Sequence, residues 1–238
     1  MPKLIIGSHS FRCRVSADGL LQPKTRRRVV GLVGAALGLA LLCGCGKGAQ
    51  WHATDVSGAF PPLAIAMQRA SDGKEVTQAD YRGQTVLLYF GYTFCPDICP
   101  TTLANIADIL TRLGPDAQHV RVLFVTVDPN RDTPSVLAAY VRNFAPQIDG
   151  LRGTPDQLAA LARRYRVYYS VTPGTKDHPY EVSHSSAIYI FDGSGAARLL
   201  VSSLGTAQPD IAGTAADLRR LVDEANPPGL LARLLRLV

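Results

Sequence analysis

Two thiols, Cys95 and Cys99, lie in the stretch Gly91-Tyr92-Thr93-Phe94-Cys95-Pro96-Asp97-Ile98-Cys99-Pro100. The apolar run 85–90 before it reads as a buried strand, and 101–113 after it reads as a helix. The pair therefore falls at a strand-to-helix turn. A helix start offers unpaired N–H groups and the positive end of the dipole, both of which stabilise a thiolate. Pro100 suits the first helical turn, where its missing N–H removes no bond. With Cys99 at the helix start and Cys95 in the turn, both sulfurs can face the same way. That arrangement serves a reversible disulfide or a pair of soft metal ligands.

Three residues separate the thiols, one more than in thioredoxin-type oxidoreductases. The wider loop opens the bite between the sulfurs, and a third ligand would turn a preference for soft ions such as Cu(I) into a site. His52 lies in a linker, His119 before a strand, His178 in a polar loop at 172–180, and His184 just before a strand at 185–191. Sequence position alone ranks none of them as a ligand. A peroxiredoxin-type peroxidase would want Thr three residues ahead of its reactive Cys; Thr93 is two ahead of Cys95, so that motif is absent.

The elements that must hold these groups alternate between strand and helix. A hairpin is predicted from 63–69 and 74–76 across Ser71-Asp72-Gly73. The strand at 85–90 and the helix after Cys99 follow, then a second apolar strand at 120–127. Helices are predicted at 135–144, behind Thr133 and Pro134, and at 155–165, behind the cap Thr154. Segment 166–171 is strand-like, 185–191 and 197–201 flank a turn at 192–195, and 210–224 is the last long helix. Strands and helices in this order predict an α/β fold with a mixed sheet flanked by helices. A thiol pair between the first core strand and the first core helix points to the thioredoxin-like arrangement.

Charge excludes one class of partner. Residues 1–44 carry seven basic side chains against Asp18 alone, which accounts for the whole formal charge of +6. The remaining 18 bases and 18 acids cancel, so the body has no electrostatic footprint for nucleic acid. The N-terminal excess reads as an address. The uncharged run 29–42 stands behind Arg26-Arg27-Arg28, like the basic head and apolar core of an export signal. Leu42-Cys43-Gly44-Cys45 resembles a bacterial lipoprotein box, which would make Cys45 the lipid attachment site. An uncleaved span is the alternative, although the run is short of the roughly 20 apolar residues a span needs. Either way the body is expected outside the cytoplasm, tethered to a membrane. The chain divides into an address at 1–45, a linker at 46–59, a domain at 60–224 and a tail at 225–238. Cys13, Cys43 and Cys45 belong to the address, so Cys95 and Cys99 are the body's only cysteines: a redox or metal pair, not a scaffold of disulfides.

A second dense cluster, Asp128-Pro129-Asn130-Arg131-Asp132-Thr133-Pro134, reads as structure: a turn at Asp128, a helix cap at Thr133 and a local ion pair between Arg131 and Asp132. Tyr165, Tyr168 and Tyr169 read as packing residues.

Together with Val182-Ser183-His184-Ser185-Ser186-Ala187-Ile188-Tyr189-Ile190-Phe191-Asp192, the thiol stretch and this cluster resemble the Sco/SenC family of copper-binding assembly factors for cytochrome c oxidase. The match in order and spacing runs over about 60–222. The resemblance implies a thioredoxin-like fold and one copper ion per chain, Cu(I) and also Cu(II), held by Cys95, Cys99 and His184. Asp97 and Asp132 are candidates for the layer behind the ligands. It also implies delivery of copper to the oxidase's second subunit or another copper-accepting protein, or reduction of that partner's thiols, and a thioredoxin-like reductant for the pair itself. Joined to the address, it implies a bacterial envelope protein, anchored in the inner membrane and facing the periplasm. Ser183 stands where the family carries Asp, a change near the metal that leaves the ligands in place. The rival function is a thiol–disulfide oxidoreductase that carries no copper, needs both thiols and is indifferent to His184.

Overall fold

Uninterrupted apolar runs can be covered on both faces, and two of them form the centre of the sheet. In the computed structural model, which describes residues 50–175 and 180–227, they lie side by side in parallel. The strands are β1 (Thr54–Asp55), β2 (Ala66–Arg69), β3 (Glu75–Thr77), β4 (Thr85–Gly91), β5 (Val120–Thr126), β6 (Ile148–Arg152), β7 (Tyr169–Thr172), β8 (Glu181–His184), β9 (Ile188–Phe191) and β10 (Ala197–Val201). The helices are α1 (Ile98–Leu113), α2 (Pro134–Arg142), α3 (Pro155–Arg164) and α4 (Ile211–Ala225). The main sheet has the order β1-β10-β9-β4-β5-β6-β2-β3, with β4, β5 and β6 parallel and the outer pairs antiparallel. With α1 packed on α4 and α2 on β6, this is a thioredoxin-like fold. The address segment with Cys43 and Cys45, His178, and residues 228–238 of the tail lie outside the described residues.

All seven residues of β4 are buried, which fixes the strand from which the thiol turn departs. Helix α1 buries Cys99, Thr102, Leu103, Ile106, Ile109, Leu110 and Leu113 along one side. The predicted caps are in place: Thr133 accepts from the Val136 N–H, and Thr154 forms a capping box with Gln157.

The structure departs from the sequence reading at four places. Segment 148–152, to which the sequence pattern assigned no element, is the strand β6 beside β5. A Cβ on Gly150 would meet Leu137 Cγ at 2.8 Å, so the glycine lets α2 lie on the strand. The linker expected at 46–59 contributes the edge strand β1 on β10. The buried Asp217 carboxylate on α4 accepts from the N–H groups of His52 (3.0 Å) and Ala53 (2.8 Å), and the Arg220 guanidinium covers Trp51 at 3.8 Å. His184 does not precede a long strand at 185–191; it ends β8, and the core strand β9 begins at Ile188. Finally, β7 and β8 form a separate two-stranded sheet, with Tyr169 opposite His184.

Candidate metal centre

Helix α1 begins at Ile98, one residue before Cys99, with Asp97 in the cap position. The Asp97 side chain makes no cap bond. The Cys99 N–H instead points at the Cys95 sulfur at 3.4 Å, so a thiol satisfies part of the helix start. Cys99 is fully buried and Cys95 half-buried; both are free thiols. A Cβ on Gly91 would lie 2.9 Å from Cys99 Sγ and 2.5 Å from Phe124 Cε2, so the sulfur occupies the space a side chain would take.

His184 arrives from the small hairpin. Ser185 N–H donates to Tyr168 O at 2.9 Å, and the Tyr92 hydroxyl donates to Val182 O at 3.0 Å, tying the hairpin to the thiol turn. His184 Nδ1 lies 2.9 Å from Ser185 O. A carbonyl only accepts, so Nδ1 carries a proton, and Nε2 faces Cys99 Sγ at 3.2 Å, where its lone pair can serve a metal when the ring is neutral. The rings of Tyr92 and Tyr89 stand edge-on to the imidazole at 5.7 and 6.2 Å. The two sulfurs and the imidazole nitrogen all lie within 4.8 Å of one another. Two sulfurs and a nitrogen form a donor set for a soft ion at low coordination number. The hydrogen bond with Cys99 holds the Cys95 thiol far below the usual range, against the effect of burial, with His184 and the N–H groups of Cys99 and Asp97 adding to it. The same sharing, with burial, pushes Cys99 up. The pair thus gives up its first proton from Cys95.

Around these groups, the second cluster sits differently from its sequence reading. Arg131 pairs with the buried Asp128, not with Asp132. Its guanidinium lies 4.0 Å from the Tyr180 ring and 5.0 Å from the Phe94 ring, and the Tyr180 hydroxyl donates to Asp128 at 2.6 Å. This latch joins the thiol turn to the segment leading into β8. Asp132, 0 % exposed, accepts from Thr93 N–H (3.0 Å), Thr93 Oγ1 (2.6 Å) and Thr126 Oγ1 (2.5 Å). It anchors the turn two residues before Cys95 and lies outside the Cys95–Cys99–His184 group. The exposed Asp97 contributes its N–H to Cys95, and its carboxylate accepts from Thr101 Oγ1 at 3.4 Å. Ser183 is exposed and pairs with Ser170 across the hairpin. Tyr165 is buried, with its hydroxyl donating to Pro62 O at 3.0 Å, whereas Tyr168 is 66 % exposed and is not a packing residue. The roles of Tyr92 and Tyr180 were not apparent in sequence; spacing carries no signal for a hydroxyl that reaches 90 residues along the chain.

Arg131→Ala leaves Asp128 buried with only the Tyr180 hydroxyl, and is expected to destabilise the domain by about 2 kcal/mol. Arg131→Lys keeps the charge but loses the planar stacking, and should recover less than half of that. Urea unfolding midpoints measure both, and a lysine variant as stable as wild type would remove the stacking argument.

A thioredoxin-like domain with a thiol pair on its first core helix and an imidazole brought in by a side hairpin defines a class of cysteine–histidine metal-site proteins. The family model for SCO1/SenC matches residues 68–223, and the chain belongs to that family. The mitochondrial SCO2 homolog of Mus musculus is 40 % identical over 178 residues, covering 72 % of this chain and 70 % of the relative. The mitochondrial SCO2 homolog of Homo sapiens is 37 % identical over 178 residues, covering 72 % and 67 %. A solved structure of Bradyrhizobium japonicum ScoI with copper bound superposes with a TM-score of 0.60 at 37 % identity, covering 67 % of this chain and 98 % of that one. The mouse and human relatives are mitochondrial proteins, and this overturns the expectation of a bacterial envelope location.

Proposed function

We propose that this chain takes up one copper ion, holds it as Cu(I) between Cys95, Cys99 and His184, and passes it on during assembly of the binuclear copper site of cytochrome c oxidase. The observation that carries this reading is the convergence of the three donor atoms within 4.8 Å, with Nε2 already turned toward the Cys99 sulfur. The donor set favours a soft monovalent ion. The copper bound to the Bradyrhizobium japonicum relative supports the same cargo. The acceptor is the oxidase's second subunit or another copper-accepting protein. The apolar run at 29–42 behind Arg26–Arg28 supports a membrane tether for the domain.

A second reading rests on the same pair. The half-buried Cys95 has a depressed thiol and the buried Cys99 sits behind it, an order that suits attack on a partner's disulfide. Two electrons and two protons would pass to the partner, leaving a Cys95–Cys99 disulfide that cannot hold Cu(I).

The variant His184→Ala separates the two. The reduced domain should bind one Cu(I) per chain, and the variant should bind it on the order of 10²-fold more weakly, at or beyond the upper end of what disturbing a ligand's outer partners does. Its thiol–disulfide exchange should persist, because Cys99 has the larger influence on the Cys95 thiol. Cu(I) affinity unchanged within about twofold would leave only the redox role.

A further inference from the structure

Two buried hydroxyls near the Cys99 sulfur close no hydrogen bond. Tyr89, on β4, is 0 % exposed and its Oη has no hydrogen-bond partner. Thr102, one turn after Cys99 on α1, is also 0 % exposed with an unpartnered Oγ1. Both side chains look into the same place. Tyr89 lies two residues before Gly91 on the same face of β4, and a Cβ on Gly91 would point to within 2.9 Å of Cys99 Sγ. The Tyr89 hydroxyl is within reach of that sulfur and of the Thr102 hydroxyl, at a geometry that closes no hydrogen bond to either. Its ring packs on Phe124 at 5.7 Å and stands edge-on to His184 at 6.2 Å, so the residue touches the surroundings of two of the three donors.

A buried hydroxyl without a partner destabilises a fold, and phenylalanine would fill the same space against Phe124 without that penalty. An acceptor that exists only in another state of the protein explains why the hydroxyl is there. A thiol sulfur is a weak acceptor. Once Cys99 gives its proton up on taking a metal, the sulfur carries negative charge and lone pairs, and a neighbouring O–H then makes a charge-assisted bond to it.

We propose that Tyr89, backed by Thr102, is a positioning residue that donates a hydrogen bond to the Cys99 sulfur in the copper-loaded form and thereby sets the balance between Cu(I) and Cu(II). A donor to a ligating sulfur withdraws charge from it and favours the less charged metal state. This inference rests on the copper reading above. The apo protein gives up some stability to the unsatisfied hydroxyls, and the loaded form recovers it.

The test is Tyr89→Phe in the reduced protein, with Cu(I) as the probe. Three quantities are read: the melting temperature of the metal-free protein, the Cu(I) affinity by competition with a chromophoric chelator, and the Cu(II)/Cu(I) potential. The metal-free variant should melt higher than wild type, because an unpaired buried hydroxyl has gone. Its Cu(I) affinity should fall about tenfold, the low end for losing an outer partner of a ligand. If Cu(II) affinity is unchanged, the potential falls by about 59 mV for that tenfold change. Thr102→Val should move all three in the same directions by less. A merely structural role for Tyr89 would lower melting temperature and affinity together, and that result overturns the proposal. Wild type that binds Cu(I) while Tyr89→Phe binds it equally overturns this inference alone. Wild type that binds no Cu(I) overturns the copper reading and this inference with it.

Discussion

Asp132→Ala should lower the stability of the domain by about 3 kcal/mol, since the loss of one carboxylate leaves several buried donors unpaired. Those donors are the Thr93 N–H, Thr93 Oγ1 and Thr126 Oγ1, all directed at a side chain that is 0 % exposed. The bonds span the end of β5 and the turn after β4, so their loss frees the backbone two residues before Cys95. Copper affinity should therefore fall with stability. Asp132→Asn should do nearly as much damage, because its NH₂ group would face donors where an acceptor is needed. The measurement is urea unfolding at constant m, with Cu(I) competition on the same samples. A loss below about 1 kcal/mol would mean that other groups can satisfy the three donors, and the anchoring role would fall.

Gly91→Ala should be nearly as severe, by about 2–3 kcal/mol, through overpacking of a site with no room to relax. The added methyl would come within 2.5 Å of Phe124 Cε2 and 2.9 Å of Cys99 Sγ. Phe124 is itself fully buried in β5 and packs on Tyr89 and Tyr140 at 5.7 and 5.8 Å, so it cannot simply swing away. The softer response is for the first turn of α1 to lift, which carries Cys99 away from His184 Nε2. The variant should thus lose Cu(I) affinity by roughly 10- to 100-fold, the range seen when a ligand's support is disturbed. A Gly91→Ala protein with wild-type melting and copper affinity would show that the turn has slack, and the view of Gly91 as the seat of the Cys99 sulfur would be wrong.

The sequence-readable part of the site was local. Cys95 and Cys99 sit within one turn and one helix start, and the order of an apolar run, two thiols and a helical pattern is enough to place them. The caps at Thr133 and Thr154 were legible for the same reason, since a capping side chain bonds within three residues of itself. β6 was not legible. Asp149-Gly150 has turn composition, and only parallel pairing with β5 and the seat it gives Leu137 make it a strand. β8 escaped because Glu181-Val182-Ser183-His184 is short and mostly polar, and its partner β7 lies outside the main sheet. Arg131 offered two acidic neighbours, and the choice of Asp128 over Asp132 follows from Tyr180 and Phe94, which arrive from elsewhere in the chain.

By itself the sequence determined the thiol pair, its place at a helix start, the mixed α/β order and the split between a basic address and a neutral body. These follow from residue types acting over a few neighbours, or from charge summed along a segment. The family resemblance named His184, but the tertiary structure alone decided how it meets Cys99, 85 residues away, with Nδ1 held by Ser185 and Nε2 turned to the sulfur. It also decided that Asp132 serves the turn and that two buried hydroxyls lie near the sulfur. The physical reason is that a ligand's direction is set by the hydrogen bonds and packing of whatever lies next to it in space, and neither leaves a trace in local spacing.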